Sequence, residues 1–329
     1  MLRVVFMGSD AIALPALDWL VGEGRADVVA VLTQPDRPGG RGQKVRANDI
    51  KRWAQNRGAP VLQPEKMGEE ECRQLTDFKP DLTLVMAYGH ILKQEIIDAP
   101  RLGTLNLHTS VLPKYRGASP IQTAVACGET ETGVTLMRLV RQLDAGPVAD
   151  VERVKIERLD TAAQVEAKLA QACVPLLARC LPAIGSGTQL FQNQDEASAT
   201  FCRRLEKGDG RLDFHAPARQ LAARINGLMP WPGCAVTIGG QVVKLGLADI
   251  LASSEGGSGP GEVVGSDEVG LHVAAGDGIL RLRSLQRPGG RMLPAGEFLR
   301  GCPVVRGTLL PSHPMPPLVA GQPFPRPKR

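Results

Sequence analysis

The sequence predicts an α/β protein in which a parallel β-sheet, covered by helices on both faces, is followed by a small β-barrel. In the first half of the chain, continuous apolar runs alternate with helical segments, a pattern typical of parallel strands that are buried on both faces. From about residue 211 the pattern changes to short strands separated by glycine-rich turns. Short strands at close spacing are typical of a small barrel.

The strands of the parallel sheet are predicted from short apolar segments, with connecting helices at residues 14–22 and 69–78. These strands are Leu2–Met7, Val28–Leu32, a strand that begins at Val61-Leu62, Leu82–Ala87 and Thr104–Leu107. Ligands of such a sheet bind beyond the carboxyl ends of its strands. Tyr88-Gly89 and Asn106–Ser110 lie at such ends and are therefore candidate site segments.

The second half begins with a long amphipathic helix over Thr161–Ile184, and Ala216–Gly227 is a further predicted helix. The barrel strands are predicted at Cys234–Ile238, Gln241–Leu247, Gly261–Val264, Val269–Val273 and Ile279–Leu285, with a loop over Ser253–Pro260. We expect a first domain over residues 1–189, a linker over 190–208, a barrel domain over 209–310 and a disordered, proline-rich tail over 311–329.

Composition limits the classes of function. The 43% hydrophobic and 22% charged fractions of the 329 residues are those of a soluble protein of about two domains. No apolar run approaches a membrane span of about 18–20 residues, and Met1 leads directly into a strand, so neither membrane insertion nor a secretory signal is expected. Seven cysteines without a Cys-x-x-Cys pair, and five dispersed histidines, predict neither disulfides nor a metal site and favour the reducing cytoplasm.

Positive charge is concentrated toward the carboxyl end. Residues 203–329 hold 16 Lys and Arg against 10 Asp and Glu, whereas residues 1–202 hold 23 against 24. Such an excess is expected of a region that faces a polyanion such as a nucleic acid. A mildly basic surface without a partner is the alternative that charge alone leaves open.

The side chains most suited to catalysis lie at the end of the strand that contains Asn106 and His108. Side chains at i and i+2 of a strand share one face, so these two residues point the same way. Asp144 follows 36 residues after His108 in a Leu-Asp-Ala-Gly turn. An amide can stabilise a developing oxyanion, and a histidine paired with a carboxylate can manage a proton near neutral pH. A satisfied pair of core residues at a strand end is the alternative for His108 taken alone.

A dinucleotide site is not expected. Gly8 follows the first strand, but the segment Gly8–Ala13 lacks the G-x-G-x-x-G that lets a backbone approach a pyrophosphate.

These motifs together resemble the folate-dependent formyltransferases. The shared pattern is Asn106-x-His108-x-Ser110-x-Leu112-Pro113 with Asp144 on the later turn. Further segments resemble the methionyl-tRNA formyltransferases in particular: Thr33–Lys44, Ala87-Tyr88-Gly89, Arg116–Gln122, Pro230-Trp231-Pro232 and Gly276–Leu280. The resemblance runs from about Arg3 to about Gly301. It implies a Rossmann-like catalytic domain, an OB-like barrel that helps bind tRNA, and a monomer.

The resemblance also implies roles for individual residues. Asn106, His108 and Asp144 are the implied catalytic residues, and 10-formyltetrahydrofolate is the implied formyl donor, with no metal required. Residues of two segments are expected to contact the folate: Ser110, Val111, Leu112 and Pro113, and Met86, Ala87, Tyr88, Gly89 and Ile91. For Met86 and Tyr88 an ordinary core position is the alternative, and for Met86 it is the favoured one.

A basic loop is the expected contact with methionyl initiator tRNA. Residues 37–57 contain seven basic residues and one acid, and three glycines lie among them. Arginine grips phosphate and glycine gives the loop reach, although a charge run by itself is more often a solvated surface. Arg41 matches the family's arginine that enters the acceptor stem. The other expected tRNA contacts are Arg37, Lys44 and Arg46 in the loop and Lys207 and Arg211 near the barrel.

Two other classes of function remain open at this point. A formyltransferase or formyl-folate hydrolase that acts on a small molecule would share Asn106, His108 and Asp144 but would not need a basic barrel. A tRNA-binding protein without activity would need no intact catalytic set. The chain also departs from the family pattern in the segment Gly8–Ala13, at Thr109 and at Val140, Arg141 and Gln142, which affects the expected shape of the folate loop rather than the chemistry.

Overall fold

The computed structural model describes residues 1–22, 25–39, 44–251 and 258–325. The packing of the chain divides it into two compact units. Unit 1 consists of Met1–Arg116, Gly133–Val154 and Glu166–Ala199. Unit 2 consists of Gly117–Thr132, Lys155–Val165 and Thr200–Arg329. Each unit therefore takes segments from both sides of the boundary expected near residue 190, a division that depends on long-range packing.

The helices within the described residues are α1 (Leu14–Val21), α2 (Asp49–Asn56), α3 (Glu69–Asp77), α4 (Gln94–Asp98), α5 (Pro120–Ala126), α6 (Ala162–Gly185), α7 (Ala218–Gly227) and α8 (Ala295–Gly301). The strands are β1 (Leu2–Gly8), β2 (Ala26–Leu32), β3 (Arg37–Gly39), β4 (Lys44–Arg46), β5 (Val61–Leu62), β6 (Leu82–Met86), β7 (Thr104–His108), β8 (Arg116–Gly117), β9 (Glu131–Arg138), β10 (Val148–Lys155), β11 (Phe201–Cys202), β12 (Cys234–Ile238), β13 (Gln241–Leu251), β14 (Val263–Ser266), β15 (Leu271–Ala274), β16 (Ile279–Gln286), β17 (Leu293–Pro294) and β18 (Val319–Ala320).

The sheet of unit 1 has the strand order β10-β9-β7-β6-β1-β2-β5. The five strands from β7 to β5 are parallel, which confirms the predicted parallel sheet. Strand β9 is antiparallel to β7, and β10 completes that edge. Strands β9 and β10 were absent from the sequence-based prediction, because polar residues interrupt their apolar ones and leave no long continuous run.

The carboxyl ends of the central strands meet at one edge of this sheet. Gly8 at the end of β1 pairs with Met86 at the end of β6, and Val85 pairs with Asn106 of β7. A Cβ on Gly8 would lie 2.7 Å from the Met86 carbonyl oxygen, so this close approach of two strands requires glycine. The candidate site segments after β6 and within β7 are therefore neighbours.

The core of unit 1 is continuous along its central strands. Four successive residues of β1, Val4 to Met7, are fully buried, as expected for a strand covered on both faces. Helix α6 is long and apolar enough to cross a membrane by length and composition alone, and half of its most apolar window is buried in the protein. Leu169, Cys173, Leu176 and Cys180 form its buried stripe at helical spacing. A buried stripe of this kind is typical of a helix that packs in the core of a protein.

Unit 2 contains an antiparallel, barrel-like sheet with the strand order β12-β13-β16-β15-β14, and β17 pairs with β16. The five predicted barrel strands are confirmed, β12 with the bounds expected from sequence. Cys234, Val236 and Ile238 of β12 are buried and the residues between them are exposed, so one face of the sheet forms the core. Helix α7 covers that core with Leu221 and Ile225. The predicted loop Ser253–Pro260 lies largely outside the described residues.

The prediction of a disordered tail from Pro311 was wrong over residues 311–325. Strand β18 pairs with β11, and Leu318 is 4% exposed. The buried Arg224 donates a hydrogen bond of 2.9 Å to the Pro316 carbonyl, and Arg203 donates to that of Pro317. Proline lacks a backbone donor but keeps its acceptor, so a proline-rich segment can satisfy buried arginines. Residues 326–329 lie outside the described part of the chain.

We expect Leu318→Ala to lower the free energy of unfolding by about 2–4 kcal/mol, because it removes a buried side chain and leaves a cavity. The matched control is Leu309→Ala, since Leu309 is 69% exposed. Thermal and urea unfolding of the two variants measure the difference. Equal, small effects in both variants would show that the tail does not pack on unit 2.

Candidate active site

The backbone of β7 is held on both sides where it carries its polar residues. Asn106 pairs with Val85 of β6 and with Met137 of β9, and His108 pairs with Thr135 of β9. The two side chains share one face of the strand because they are two residues apart. Asn106 is half-buried, and its side-chain amide makes no hydrogen bond to another residue in the described part of the chain. A side-chain amide with unused donors on a paired strand is available to a ligand.

His108 is nearly buried and is held through one ring nitrogen. Its Nε2 lies 3.1 Å from the Tyr115 carbonyl oxygen. A carbonyl only accepts, so Nε2 carries the hydrogen in this arrangement. The other nitrogen, Nδ1, faces Asp144, with a distance of 3.8 Å to Oδ2. That distance is an ion-pair distance and longer than a direct hydrogen bond.

Asp144 occupies an uncommon backbone conformation. Its φ is +47°, in the left-handed region, and its side chain is 13% exposed. Ala87 and Tyr115 also have positive φ values, +48° and +59°. Non-glycine residues in this region store strain and occur where the surrounding structure fixes them, commonly at functional sites. Ala87 and Asp144 lie on segments that were expected to form the site, and Tyr115 follows two residues after Pro113.

The loop after β7 is held from within. Ser110 is fully buried, and its Oγ donates to the Lys114 carbonyl at 2.6 Å. Thr135 Oγ1 donates to the Ser110 carbonyl at 2.6 Å and accepts from the Leu112 amide at 3.1 Å. The Ser110 hydroxyl therefore shapes the loop rather than facing outward. Val111 and Pro113 are half-buried and Leu112 is buried.

The segment after β6 presents its backbone rather than its larger side chains. Met86 is fully buried and Tyr88 is 2% exposed, with the Tyr88 hydroxyl donating to Met67 Sδ at 3.3 Å. Burial, with the charge of Glu71 as a smaller cause, raises the pKa of Tyr88 well above its usual range. Ala87 and Gly89 are exposed, and Ile91 is 80% exposed. The alternative of an ordinary core position thus describes the side chains of Met86 and Tyr88.

The Tyr88 carbonyl connects this segment to β1 and to the residues after β2. Ser9 Oγ donates to it at 3.3 Å and Gln34 Nε2 at 3.1 Å. Gln63 Nε2 donates both to the Gln34 carbonyl and to Asp36, each at 2.8 Å. Lys51 Nζ lies 2.6 Å from Asp36 Oδ2. The hydrogen bond from Lys51, and after it the one from Gln63, lowers the pKa of the Asp36 carboxyl group. The base of the basic loop is therefore fixed to the sheet.

The basic loop forms a hairpin whose described parts are strands β3 and β4. Arg37 is paired with Glu65 at 3.0 Å, and both side chains are mostly exposed. Lys44 and Arg46 are exposed and make no ion pair with another described residue. Arg41 lies outside the described residues. In unit 2, Lys207 and Arg211 are exposed at the two ends of a short 3-10 helix and its cap.

Three residues that position the site were given no role from sequence. The Tyr115 carbonyl holds His108, Thr135 fixes the loop after β7, and Gln194 Nε2 donates to the carbonyls of Asp144 and Gly146, both at 2.8 Å. Tyr115 lies between two recognised motifs, but it acts through its backbone carbonyl, and no side-chain pattern in the sequence marks such a role. Gln194 lies in a segment that was expected to be a linker. Among the described residues no group of three His, Cys, Asp or Glu could hold a metal ion.

Comparison with known proteins places the chain in a family. A model of the formyl transferase family matches residues 2–181, and a model of the formyl transferase C-terminal domain matches residues 204–303. A methionyl-tRNA formyltransferase of Ectopseudomonas mendocina is 41% identical over 90% of this chain and 94% of its own length. One from Myxococcus xanthus is 42% identical over 93% of this chain and 97% of its own.

Solved structures share the fold at lower identity. An N-formyltransferase from Helicobacter canadensis, in complex with folinic acid and dTDP-3-aminofucose, has a TM-score of 0.66 at 18% identity. It covers 86% of this chain and 99% of its own length. HypX from Aquifex aeolicus, in complex with tetrahydrofolic acid, has a TM-score of 0.60 at 18% identity and covers 94% of this chain and 51% of its own.

The fold and the domain matches define a formyl transferase. With relatives of this identity and coverage, the chain belongs to the methionyl-tRNA formyltransferase family. The resemblance inferred from the sequence motifs is confirmed.

We expect Gly146→Ala to disturb the Asp144 turn, because a Cβ at this position would lie 1.8 Å from the Arg138 carbonyl oxygen. Overpacking of this kind costs about 1–3 kcal/mol of stability. Gly208→Ala is the control, since nothing lies within 4 Å of a Cβ there. Scanning calorimetry measures both variants, and a Gly146→Ala protein as stable as the control would contradict the described turn.

Proposed function

We propose that this protein transfers the formyl group of 10-formyltetrahydrofolate to the α-amino group of methionyl initiator tRNA. The observation that carries the proposal is the unused amide of Asn106 on the same strand face as His108, with Asp144 facing the free ring nitrogen. The family of the chain and its net positive charge support the same reaction.

In the proposed mechanism the amine attacks the formyl carbon and a tetrahedral intermediate forms. The Asn106 amide donates to the developing oxyanion. Because Nε2 of His108 is committed to Tyr115, the nitrogen that serves the reaction is Nδ1. With a proton on Nδ1, the ring is a cation that Asp144 stabilises at 3.8 Å and that donates to the same oxygen.

Proton transfer completes the reaction. The attacking amine loses a proton to Asp144 through a water molecule, the intermediate collapses with cleavage of the bond between the formyl carbon and N10, and N10 takes up the proton that Asp144 returns through water. The Asp144 side chain is 13% exposed, so that water can reach its carboxylate. No step in this scheme requires a metal.

A folate-derived donor fits the two segments at the edge of the sheet. We propose that Ala87 and Gly89 offer backbone groups to the pterin and that Ile91, Val111, Leu112 and Pro113 offer apolar contact. Met86, Tyr88 and Ser110 then act by shaping the backbone, since their side chains are buried.

We propose that tRNA phosphates bind the exposed cations Lys44, Arg46, Lys207 and Arg211, together with Arg37 and Arg41. Four of these are exposed without an ion pair in the described part of the chain, so binding a phosphate breaks no existing bridge. We further propose a monomer that works in the cytoplasm without contact with a membrane.

The test is a panel of acceptors offered with 10-formyltetrahydrofolate: methionylated initiator tRNA, methionylated elongator tRNA, free methionine, an amino sugar nucleotide and water. The proposal predicts product only with the aminoacylated tRNAs, and most with the initiator. Faster formylation of a small amine, or release of free formate, would replace the proposal with one of the small-molecule activities.

We expect Asp144→Asn to lower turnover by about 10²-fold or more while leaving the fold intact, because it keeps the shape and removes the proton acceptor. Asn106→Ala is expected to lower kcat by about 10²–10³-fold with a smaller effect on folate binding, because an oxyanion donor acts in the transition state. Steady-state kinetics and folate titration measure both. Undiminished turnover in Asp144→Asn would remove Asp144 from the mechanism.

Neutralising Lys44 and Arg46 together is expected to weaken tRNA binding and to flatten its salt dependence. Each phosphate neutralised contributes a slope of about 0.7–0.9 in log affinity against log salt. Arg73→Ala is the control, since this exposed arginine pairs with Glu70 at 2.6 Å. The measurement is the tRNA dissociation constant across a salt series. A double variant with the slope of the unaltered protein would exclude the hairpin from phosphate contact.

A further inference from the structure

We propose that Gln194 and the buried Arg116 form a clamp that positions Asp144 for the reaction. The inference rests on the role proposed for Asp144, and it adds two positioning residues that do not touch the substrate. The clamp joins Arg116, the last residue of the first segment of unit 1, to a segment that follows α6 and also belongs to unit 1.

Arg116 is the centre of the clamp and is fully buried. Its Nε and Nη2 donate to Gln194 Oε1 at 3.1 and 2.8 Å. Its Nη1 and Nη2 donate to the two carboxylate oxygens of Glu196 at 2.8 and 2.7 Å. A buried guanidinium is strongly unfavourable unless it is paired and hydrogen-bonded, so the surrounding chain is held to these partners. The pairing also lowers the pKa of Glu196.

Gln194 connects the Arg116 guanidinium to the turn that contains Asp144. Its oxygen faces the guanidinium, which has only donors, so its amide nitrogen must face the other way. Both hydrogens of that nitrogen are used, one on the Asp144 carbonyl and one on the Gly146 carbonyl, each at 2.8 Å. The side chain therefore cannot turn over without losing bonds on both sides.

The constraint acts on the backbone of Asp144, whose φ of +47° is unfavourable for a residue with a side chain. Holding two carbonyls of the turn selects this conformation and with it the direction of the carboxylate. Tyr115, the residue before Arg116, holds His108 through its carbonyl. Two consecutive residues thus fix the pair of His108 and Asp144, whose side chains are 3.8 Å apart. Tyr115 holds His108 through its backbone carbonyl, and Arg116 holds Asp144 through the clamp.

The test compares Gln194→Ala and Gln194→Glu with Gln189→Ala. Gln189 is the matched control because its Nε2 also donates to two backbone carbonyls, those of Ala149 and Leu190, away from the turn. The Glu variant keeps an acceptor for Arg116 and therefore keeps the fold, but it places an oxygen against the two carbonyls. A misplacement of about 1 Å commonly costs ~10²-fold in rate. We expect both Gln194 variants to lose about that factor in kcat with KM for folate and tRNA nearly unchanged.

The double variant Asp144→Asn with Gln194→Ala shows whether the clamp acts through Asp144. The proposal predicts that it is no slower than Asp144→Asn alone, since the clamp has nothing left to position. Near-unaltered kcat in both Gln194 variants, or independent additive losses in the double variant, would overturn the clamp while the role of Asp144 stands. An active Asp144→Asn protein would instead overturn the proposed role of Asp144, whatever the Gln194 variants do.

Discussion

The pairing of β7 on both of its sides is the constraint on which the site depends. A parallel neighbour, β6, and an antiparallel neighbour, β9, hold the backbone of Asn106 from both sides, and β9 also holds that of His108. The two polar residues therefore face the same side of the strand without a ligand, and the His108 ring is held in place, as a preorganised site requires. The remaining parts of the site are fitted around this strand: Thr135 of β9 fixes the loop that follows it, and the Tyr115 carbonyl holds the imidazole.

Preorganisation here requires unfavourable local geometry. The left-handed conformations of Ala87, Tyr115 and Asp144, and the burial of the Arg116 guanidinium, each cost stability. Hydrogen bonds offset this cost, as in the contacts of Arg116 with Gln194 and Glu196. The same logic explains the ordered tail of unit 2, where proline carbonyls satisfy Arg203 and Arg224.

Sequence was sufficient where the signal is local. The apolar runs predicted the parallel strands, the alternation in β12 predicted its bounds, and the spacing of motifs predicted the family. The sequence alone was insufficient where a residue acts through contacts with distant parts of the chain. Gln194 lies 50 residues from Asp144 along the chain, within a polar stretch that carries no periodicity. The tail was misjudged because composition does not reveal that buried arginines need its carbonyls.

The excess of Lys and Arg over Asp and Glu from residue 203 onward could be interpreted only with the structure. In unit 2, Arg203 pairs with the buried Asp209, and Arg281 and Arg283 pair with the buried Asp249. These arginines form ion pairs with carboxylates inside the protein. The positively charged surface that is available to a polyanion is therefore smaller than the number of Lys and Arg residues implies. Lys207 and Arg211 are exposed and unpaired within the described residues, which makes them the stronger candidates for phosphate contact.

The most direct test of the account is a crystal structure of the protein with a hydrolysis-stable 10-formyl folate analogue. The account predicts the formyl oxygen within hydrogen-bond distance, about 2.7–3.2 Å, of the Asn106 amide nitrogen and on the Nδ1 side of His108. It also predicts that the Nε2 contact with Tyr115 is kept. A formyl group bound away from Asn106, or an imidazole that has turned from Tyr115 to present Nε2 to the ligand, would contradict the account.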